Sequence, residues 1–135
     1  MITLDDVIRL EINEERKQVV LQAKYLVQQH YTFYVKVISG EFSGKSHFCF
    51  SVNEIRRLIM HLDEMRKTLD GTTMIRDYDS DAFLEFLIID HGHLEGSGRV
   101  GSSVDDHFMT FQFTTDQTAI QSFIVGLQGI LKVSV

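Results

Sequence analysis

Carboxylates crowd one segment of this chain. Between Asp77 and Asp106 eight acidic residues stand against one basic residue, Arg99, which gives that segment a formal charge of −7. The total is −6, so everything else sums to +1. Grouped carboxylates hold cations or attract basic proteins, and they repel the phosphates of nucleic acids. The charge pattern therefore favours a basic protein partner over a nucleic acid.

A calcium site is one hypothesis for the run Asp77-Tyr78-Asp79-Ser80-Asp81, because it begins like the loop of an EF-hand. The sixth position is Ala82 where that loop needs glycine, and the twelfth is Ile88 where it needs glutamate. A solvated turn and a docking site for a partner are the two other interpretations of this run.

Histidines offer a second metal hypothesis. His91 and His93 stand two residues apart beside Asp90, and alternate residues of a strand share a face. Zinc needs three or four protein ligands, and no third one has a forced position here. A small metal-dependent hydrolase that uses His91 and His93, or the Asp77–Asp81 cluster, therefore stays an alternative. We expect no cofactor, and we expect Cys49 to be a buried thiol without a disulfide partner.

The elements that position these side chains follow from hydrophobic periodicity. Alternating apolar residues predict strands over 7–13, 17–27, 31–38 and 46–52, and again over 72–77, 82–89, 93–100 and 107–114. Residues 17–27 are expected to bury Val19, Leu21, Ala23, Tyr25 and Val27 on one face. The strand over 82–89 is apolar on both faces except at Glu85, which predicts a central place in its sheet.

Each group of strands leads into a block with helical periodicity. One apolar stripe comprises Ile55, Leu58, Ile59, Leu62, Met65 and Leu69, and the other comprises Ile120, Phe123, Ile124, Leu127, Ile130 and Leu131. Asn53 and Asp116 are the predicted N-caps, and Asp70-Gly71 should end the first helix. The pattern predicts an α+β fold in which two antiparallel four-stranded meanders are each followed by a covering helix (ββββα-ββββα).

Turns in the second meander should gather its carboxylates. Short connections make neighbouring strands antiparallel, so loops 77–81 and 101–106 should emerge at one end of the sheet and the turn 90–92 at the other. Asp77, Asp79, Asp81, Asp105 and Asp106 are therefore predicted to form one acidic rim, with Tyr78 as an anchor for a partner. Within 93–100, Gly96 and Gly98 should leave room for an aromatic ring of a neighbouring strand.

A length of 135 residues suits a single domain, here with pseudo-repeats over about 1–71 and 72–135. No run of about 18 apolar residues occurs, and Met1–Leu10 does not resemble a secretory signal. We therefore expect a cytoplasmic protein without a membrane span. A homodimer is an open alternative.

The duplicated plan resembles the Whirly-type single-strand-binding fold, in topology only. Such binding needs a strand face that carries basic and aromatic side chains, and we expect none in this acidic chain. A Whirly-like nucleic-acid binder is therefore the disfavoured alternative.

Several turn and core segments together are similar to those of a family of small bacterial proteins. These segments are Gly40-Glu41-Phe42-Ser43-Gly44, Leu69-Asp70-Gly71, Asp79-Ser80-Asp81, Gly92-His93-Leu94 and Phe113-Thr114-Thr115-Asp116-Gln117. The family includes the WapI-type immunity proteins, and the likeness covers roughly residues 40–127. It implies a cytoplasmic protein that binds and blocks a toxin domain, often a nuclease. We predict a non-enzymatic acidic binding module of this kind, whose rim meets a basic toxin domain.

Overall fold

The computed structural model describes residues 1–12 and 14–132, and the side chains of all of these except His91. The first half forms β1 (Ile2–Thr3), β2 (Val7–Arg9), β3 (Lys17–Val27), β4 (His30–Ser39), β5 (Phe42–Ser51) and α1 (Val52–Thr68). The second half forms β6 (Thr72–Arg76), β7 (Phe83–Ile89), β8 (His93–Ser102), β9 (His107–Asp116) and α2 (Thr118–Leu131). The predicted α+β plan, two antiparallel sheets each followed by a helix, is confirmed.

Both sheets are meanders in which every pairing is antiparallel. The first sheet has the order β1-β3-β4-β5, and β2 pairs with the same side of β3 as β1 does. The second sheet has the order β6-β7-β8-β9. The predicted central place of β7 is confirmed, since β6 and β8 flank it and Leu84, Phe86 and Ile88 are buried.

A β-bulge in β3 corrects one predicted face. Val19, Leu21 and Ala23 are buried as expected, but Tyr25 and Val27 are exposed. The register against β4 shifts between Ala23 and Tyr25. An extra residue in one strand turns every following side chain to the opposite face, so Leu26 enters the core instead.

Two strand ends differ from the predicted ones by four residues, and the other ends agree within two residues. The strand expected over 7–13 ends at Arg9, although the Leu10 N–H still donates to the Val19 carbonyl at 3.0 Å; residue Asn13 lies outside the described part of the chain. β5 begins at Phe42 rather than at residue 46. Gly40, with φ +64°, allows a two-residue turn before it.

Helix α1 is capped by Ser51, not by Asn53 as predicted. The Ser51 Oγ accepts from the Glu54 N–H at 3.1 Å, and the Glu54 carboxylate accepts from the Ser51 N–H at 3.1 Å. This reciprocal pair is a capping box, which satisfies two N–H groups of the first turn. The strand β5 therefore passes into the helix without a loop.

The apolar stripe of α1 is largely as predicted. Ile55, Leu58, Leu62 and Met65 are buried, and Ile59 is half-buried. Leu69 does not belong to the stripe, because the helix ends at Thr68 and Leu69 takes a left-handed φ of +55° with 49% of its surface exposed.

Helix α2 buries the predicted residues Ile120, Phe123, Ile124, Leu127 and Ile130. Its N-cap position is Gln117, which makes no side-chain capping bond. Asp116, one position earlier, accepts a hydrogen bond from the Thr118 N–H at 2.9 Å, so its carboxylate still satisfies a backbone N–H group of the first turn. No helix in the described part of the chain is long and apolar enough to cross a membrane.

One hydrophobic core joins the two halves. It contains residues of both sheets and both helices, and the Tyr31 hydroxyl on β4 donates to the Ile130 carbonyl on α2 at 3.2 Å. Gly96 and Gly98 face Phe113 and Phe111 across the β8–β9 ladder. A Cβ on Gly96 would lie 2.0 Å from Phe113 Cζ, so the predicted aromatic neighbour is confirmed.

Candidate functional site

Two acidic loops leave the second sheet at the same end. Arg76 at the end of β6 pairs with Phe83, which pairs with Arg99 on β8. Ser102 at the end of β8 pairs with His107. The connection from β6 to β7 and the connection from β8 to β9 therefore stand side by side, whereas the turn at 90–92 closes the opposite end of the sheet.

Asp81 joins the two loops. Its carboxylate accepts from Arg99 Nη1 at 2.8 Å and from the Ser103 N–H at 3.1 Å, and the Ser103 hydroxyl donates to it as well. The hydrogen bonds from Ser103, and after them the Arg99 charge, hold the pKa of Asp81 below its ordinary value. Asp81 is thus an ionised side chain that positions both loops.

Asp77 lies inside the protein, which corrects its predicted place on the rim. Only 8% of it is exposed, and it accepts from the Cys49 N–H at 2.7 Å and from the Ser80 hydroxyl at 2.6 Å. The next residue, Tyr78, donates its N–H to the Cys49 carbonyl at 3.0 Å. A buried carboxylate needs such partners, and these bonds fasten the loop to the free edge of β5.

The remaining predicted residues face solvent. Asp79, Asp105 and Asp106 are exposed, and Tyr78 is 73% exposed with its ring edge against His30 at 5.8 Å between centroids. Val104, 86% exposed, lies beside Asp105. Sequence reasoning missed Val104, although an apolar residue within the polar stretch 102–106 was the available signal. We call these five residues (Tyr78, Asp79, Val104, Asp105 and Asp106) the acidic loop end.

A cleft of about 560 Å³ opens beside the acidic loop end, between β5 and the two loops. Its polar lining includes His47, Asp77, Ser80, Asp105 and His107. This mixture of acceptors and ring nitrogens suits hydrogen bonding to a protein side chain that enters between the loops.

The part of the chain that the structure describes contains no cluster of metal-binding side chains of the kind that the metal hypotheses need. There, no three His, Cys, Asp or Glu side chains lie close enough together to hold a metal ion. Protein donors occupy the carboxylates of Asp77 and Asp81, which the calcium hypothesis needed. His93 is exposed at the start of β8, and the side chain of His91 lies outside the described residues.

Cys49 is half-buried rather than fully buried as expected. Burial raises the pKa of its thiol, and the carboxylates of Asp79, Asp77 and Glu54 raise it further because they repel a thiolate. A thiol of this kind stays protonated near neutral pH. It lacks the positive surroundings that activate a nucleophilic cysteine.

The outer face of the first sheet corrects the expectation that no strand face combines basic and aromatic side chains. Lys24, Lys36 and Lys45 lie on this face, and strands β3, β4 and β5 contain no acidic residue. The fourth lysine of these strands, Lys17, points to the other sheet and donates to the Gln112 carbonyl at 2.9 Å. Lys24 and Lys45 both approach the Tyr34 ring, at 5.0 and 4.7 Å from its centroid. Each strand contributes one lysine to this face, so only the strand register reveals the group.

Fold and site together describe a small α+β protein in which two loops bring exposed carboxylates to one end of the second sheet. The chain matches the family described as immunity protein WapI-like over residues 5–133, and it belongs to that family. No curated protein matches it. Membership in an immunity protein family indicates an inhibitory role. The resemblance found in segments between residues 40 and 127 is thus confirmed over nearly the whole chain.

Proposed function

We propose that this protein is a cytoplasmic, non-enzymatic immunity protein that blocks a basic toxin domain, and that it binds this domain through the acidic loop end. Family membership supports the inhibitory role. The basic character of the partner and the place of contact are inferred from the charges and exposure of the loops.

One observation carries the proposal: Asp81 bonds to Ser103 and to Arg99. Through these bonds the loop after β6 and the loop after β8 become one surface. Three exposed carboxylates, those of Asp79, Asp105 and Asp106, therefore have fixed neighbours, although they are far apart in the sequence. A preorganised surface loses less entropy when a partner binds than two independent loops would.

At the acidic loop end the charged and the apolar residues have different roles in binding. Exposed carboxylates speed the encounter with a cationic partner, and the cleft of a nuclease is cationic because it holds phosphates. Tyr78 and Val104 expose apolar surface next to these charges. An aromatic or aliphatic anchor with a polar rim is the arrangement that protein interfaces use.

The test first captures the partner by a pull-down with this protein from its source cell, and then measures inhibition with the purified protein and the purified toxin domain. Inhibition of the toxin by increasing amounts of this protein should be complete at equimolar ratio. The double variant Tyr78→Ser, Val104→Ser should inhibit at least about tenfold less well, because it removes both anchors.

Exposed apolar residues elsewhere provide a matched control. Phe42 and Val125 are 75% and 56% exposed, on β5 and α2. The variant Phe42→Ser, Val125→Ser should inhibit as the parent protein does. Absence of inhibition by the parent protein would contradict the immunity function. Loss of inhibition in the control variant alone would contradict the proposed contact site.

A further inference from the structure

The outer face of the first sheet carries a row of cations that crosses four strands. Arg9 on β2 pairs with Val20 on β3, Val20 pairs with Lys36 on β4, and Lys36 pairs with Lys45 on β5. Arg9, Lys36 and Lys45 are exposed, and Ile8, Val35 and Phe48, at alternate positions of the same strands, are buried, so the three cationic side chains project from the face opposite the core. We call Arg9, Lys36 and Lys45 the cation row.

A second row runs parallel to the cation row and contains two rings. Gln22 pairs with Tyr34, and Tyr34 pairs with His47. The rings of Tyr34 and His47 lie 4.4 Å apart between centroids. Lys24, placed at the bulge of β3, adds a further cation over the Tyr34 ring.

This arrangement costs stability in the free protein. Lys36 and Lys45 are direct cross-strand partners, and like charges in that position destabilise a sheet. Strands β2 to β5 contain no acidic residue that would offset the repulsion. A bound anion would relieve it, so the face is better suited to a polyanion than to water.

The spacing of the rows favours one kind of polyanion. Adjacent strands are about 4.8 Å apart, so the cation row extends for about 14 Å over three strand spacings. The ring row lies two residues further along the strands, at about 7 Å. A sugar–phosphate backbone along the cation row would bring its bases to Tyr34 and His47, the combination of charge and stacking that single-strand binding uses.

We infer that this face binds single-stranded nucleic acid at a site that adjoins the acidic loop end. His47 belongs to both surfaces, because it also lines the cleft with Asp77 and Asp105, and the cation row lies beyond His47 along β5. The charges of Asp77 and Asp79 act on the Cys49 thiol, and Cys49 is four residues from Lys45 on β5, which corresponds to about 13 Å between Lys45 and this acidic region. An acidic protein is the competing occupant, and it would have no bases to place over the rings.

Fluorescence anisotropy with a labelled oligothymidylate of about 12 nucleotides tests the inference. With three cations on phosphates, the logarithm of the binding constant should fall against the logarithm of salt concentration with a slope of about −2. In Lys36→Gln, Lys45→Gln the slope should shrink to about −0.7 and the affinity at about 50 mM salt should drop roughly tenfold. Arg56→Gln, Arg57→Gln, which removes two exposed cations of α1, should leave both quantities unchanged.

A ring variant separates nucleic acid from acidic protein. Tyr34→Leu should weaken oligothymidylate binding about fivefold or more, because it removes a stacking platform, and should leave binding of polyglutamate unchanged. Thermal melts of each variant confirm that it is folded. No binding of the oligonucleotide at about 50 mM salt would overturn the inference. The inference would also be overturned if the lysine variant Lys36→Gln, Lys45→Gln and the arginine variant Arg56→Gln, Arg57→Gln lost equal affinity for the oligonucleotide. Polyglutamate binding that is tighter than oligonucleotide binding would overturn it as well.

Discussion

Replacing Gly96 by alanine should unfold this protein at a markedly lower temperature. A Cβ at this position would lie 2.0 Å from Phe113 Cζ and 2.5 Å from Cε1 and Cε2. Carbon atoms in contact are normally about 3.5–4.0 Å apart, so the ring would have to retreat by about 1.5 Å. Phe113 is 2% exposed and packed within the core, which leaves it no empty space to enter.

The magnitude follows from overpacking. Extra methylenes in a packed core cost typically about 1–3 kcal/mol, and a clash with a ring held in place belongs at the upper end. Alanine recovers about 0.5 kcal/mol of backbone entropy relative to glycine, which leaves a net loss of about 2–3 kcal/mol. For a chain of this length, that loss lowers Tm by roughly 10 °C.

The same substitution elsewhere provides the control. Gly129 lies within α2, and a Cβ added there would have no neighbouring atom within 4 Å. Gly129→Ala should therefore stabilise the protein by about 0.5 kcal/mol, because alanine has the higher helix propensity. Urea unfolding followed by circular dichroism measures both changes.

A compensating variant decides whether the ring is responsible. Gly96→Ala, Phe113→Leu should be more stable than the sum of the two single effects predicts, because the smaller side chain vacates the space that the new methyl group needs. A stability of Gly96→Ala within about 0.5 kcal/mol of the parent protein would refute the reasoning. The β8–β9 register would then be wrong, and with it the place of the loop that Asp81 holds.

Three further outcomes are expected. The pKa of Asp81 is lowered in the folded protein, so the stability that its carboxylate contributes is complete above the ordinary pKa near 4 and is lost as the pH falls through the lower pKa of the folded state. Urea unfolding at acidic pH should show this loss of stability, and the variant Asp81→Asn should not show it. Cys49 should react with iodoacetamide more slowly than free cysteine at equal pH, and Asp79→Asn should speed the reaction by lowering the thiol pKa. Residues 1–71 alone should not melt cooperatively, because α1 packs on α2 and Tyr31 bonds to the Ile130 carbonyl; a cooperative melt of that piece would contradict a single domain with two pseudo-repeats.

Much of the fold was predictable because periodicity and burial are local signals. The alternation in β3 and β7 and the helical stripes of α1 and α2 place the elements, and two-residue spacing puts Gly96 and Gly98 opposite aromatic rings. The bulge at Lys24 was not predictable, because the alternation of residue types continues through it and only the pairing with β4 shows the shift. The capping box of Ser51 was missed because Asn53 also has a capping side chain.

The candidate site was also predictable only in part. Meander topology was enough to bring the loops of Asp79 and Asp105 to one end of the sheet. It could not tell which carboxylates turn inward, because Asp77 bonds to Cys49, a residue 28 positions away on the other sheet. The sequence likewise could not predict that the lysines of the cation row are neighbours, because only the strand register places Lys36 opposite Lys45.

The association rate of this protein with its toxin domain tests the central claim most directly. The variant Asp79→Asn, Asp105→Asn, Asp106→Asn should bind roughly tenfold more slowly at about 50 mM salt, and its rate should depend less on salt, because steering by the acidic loop end is gone. Exposed acids elsewhere serve as the control in Asp5→Asn, Glu15→Gln, Glu64→Gln, which should bind nearly as fast as the parent protein. An unchanged rate and an unchanged salt dependence in the first variant would contradict the account.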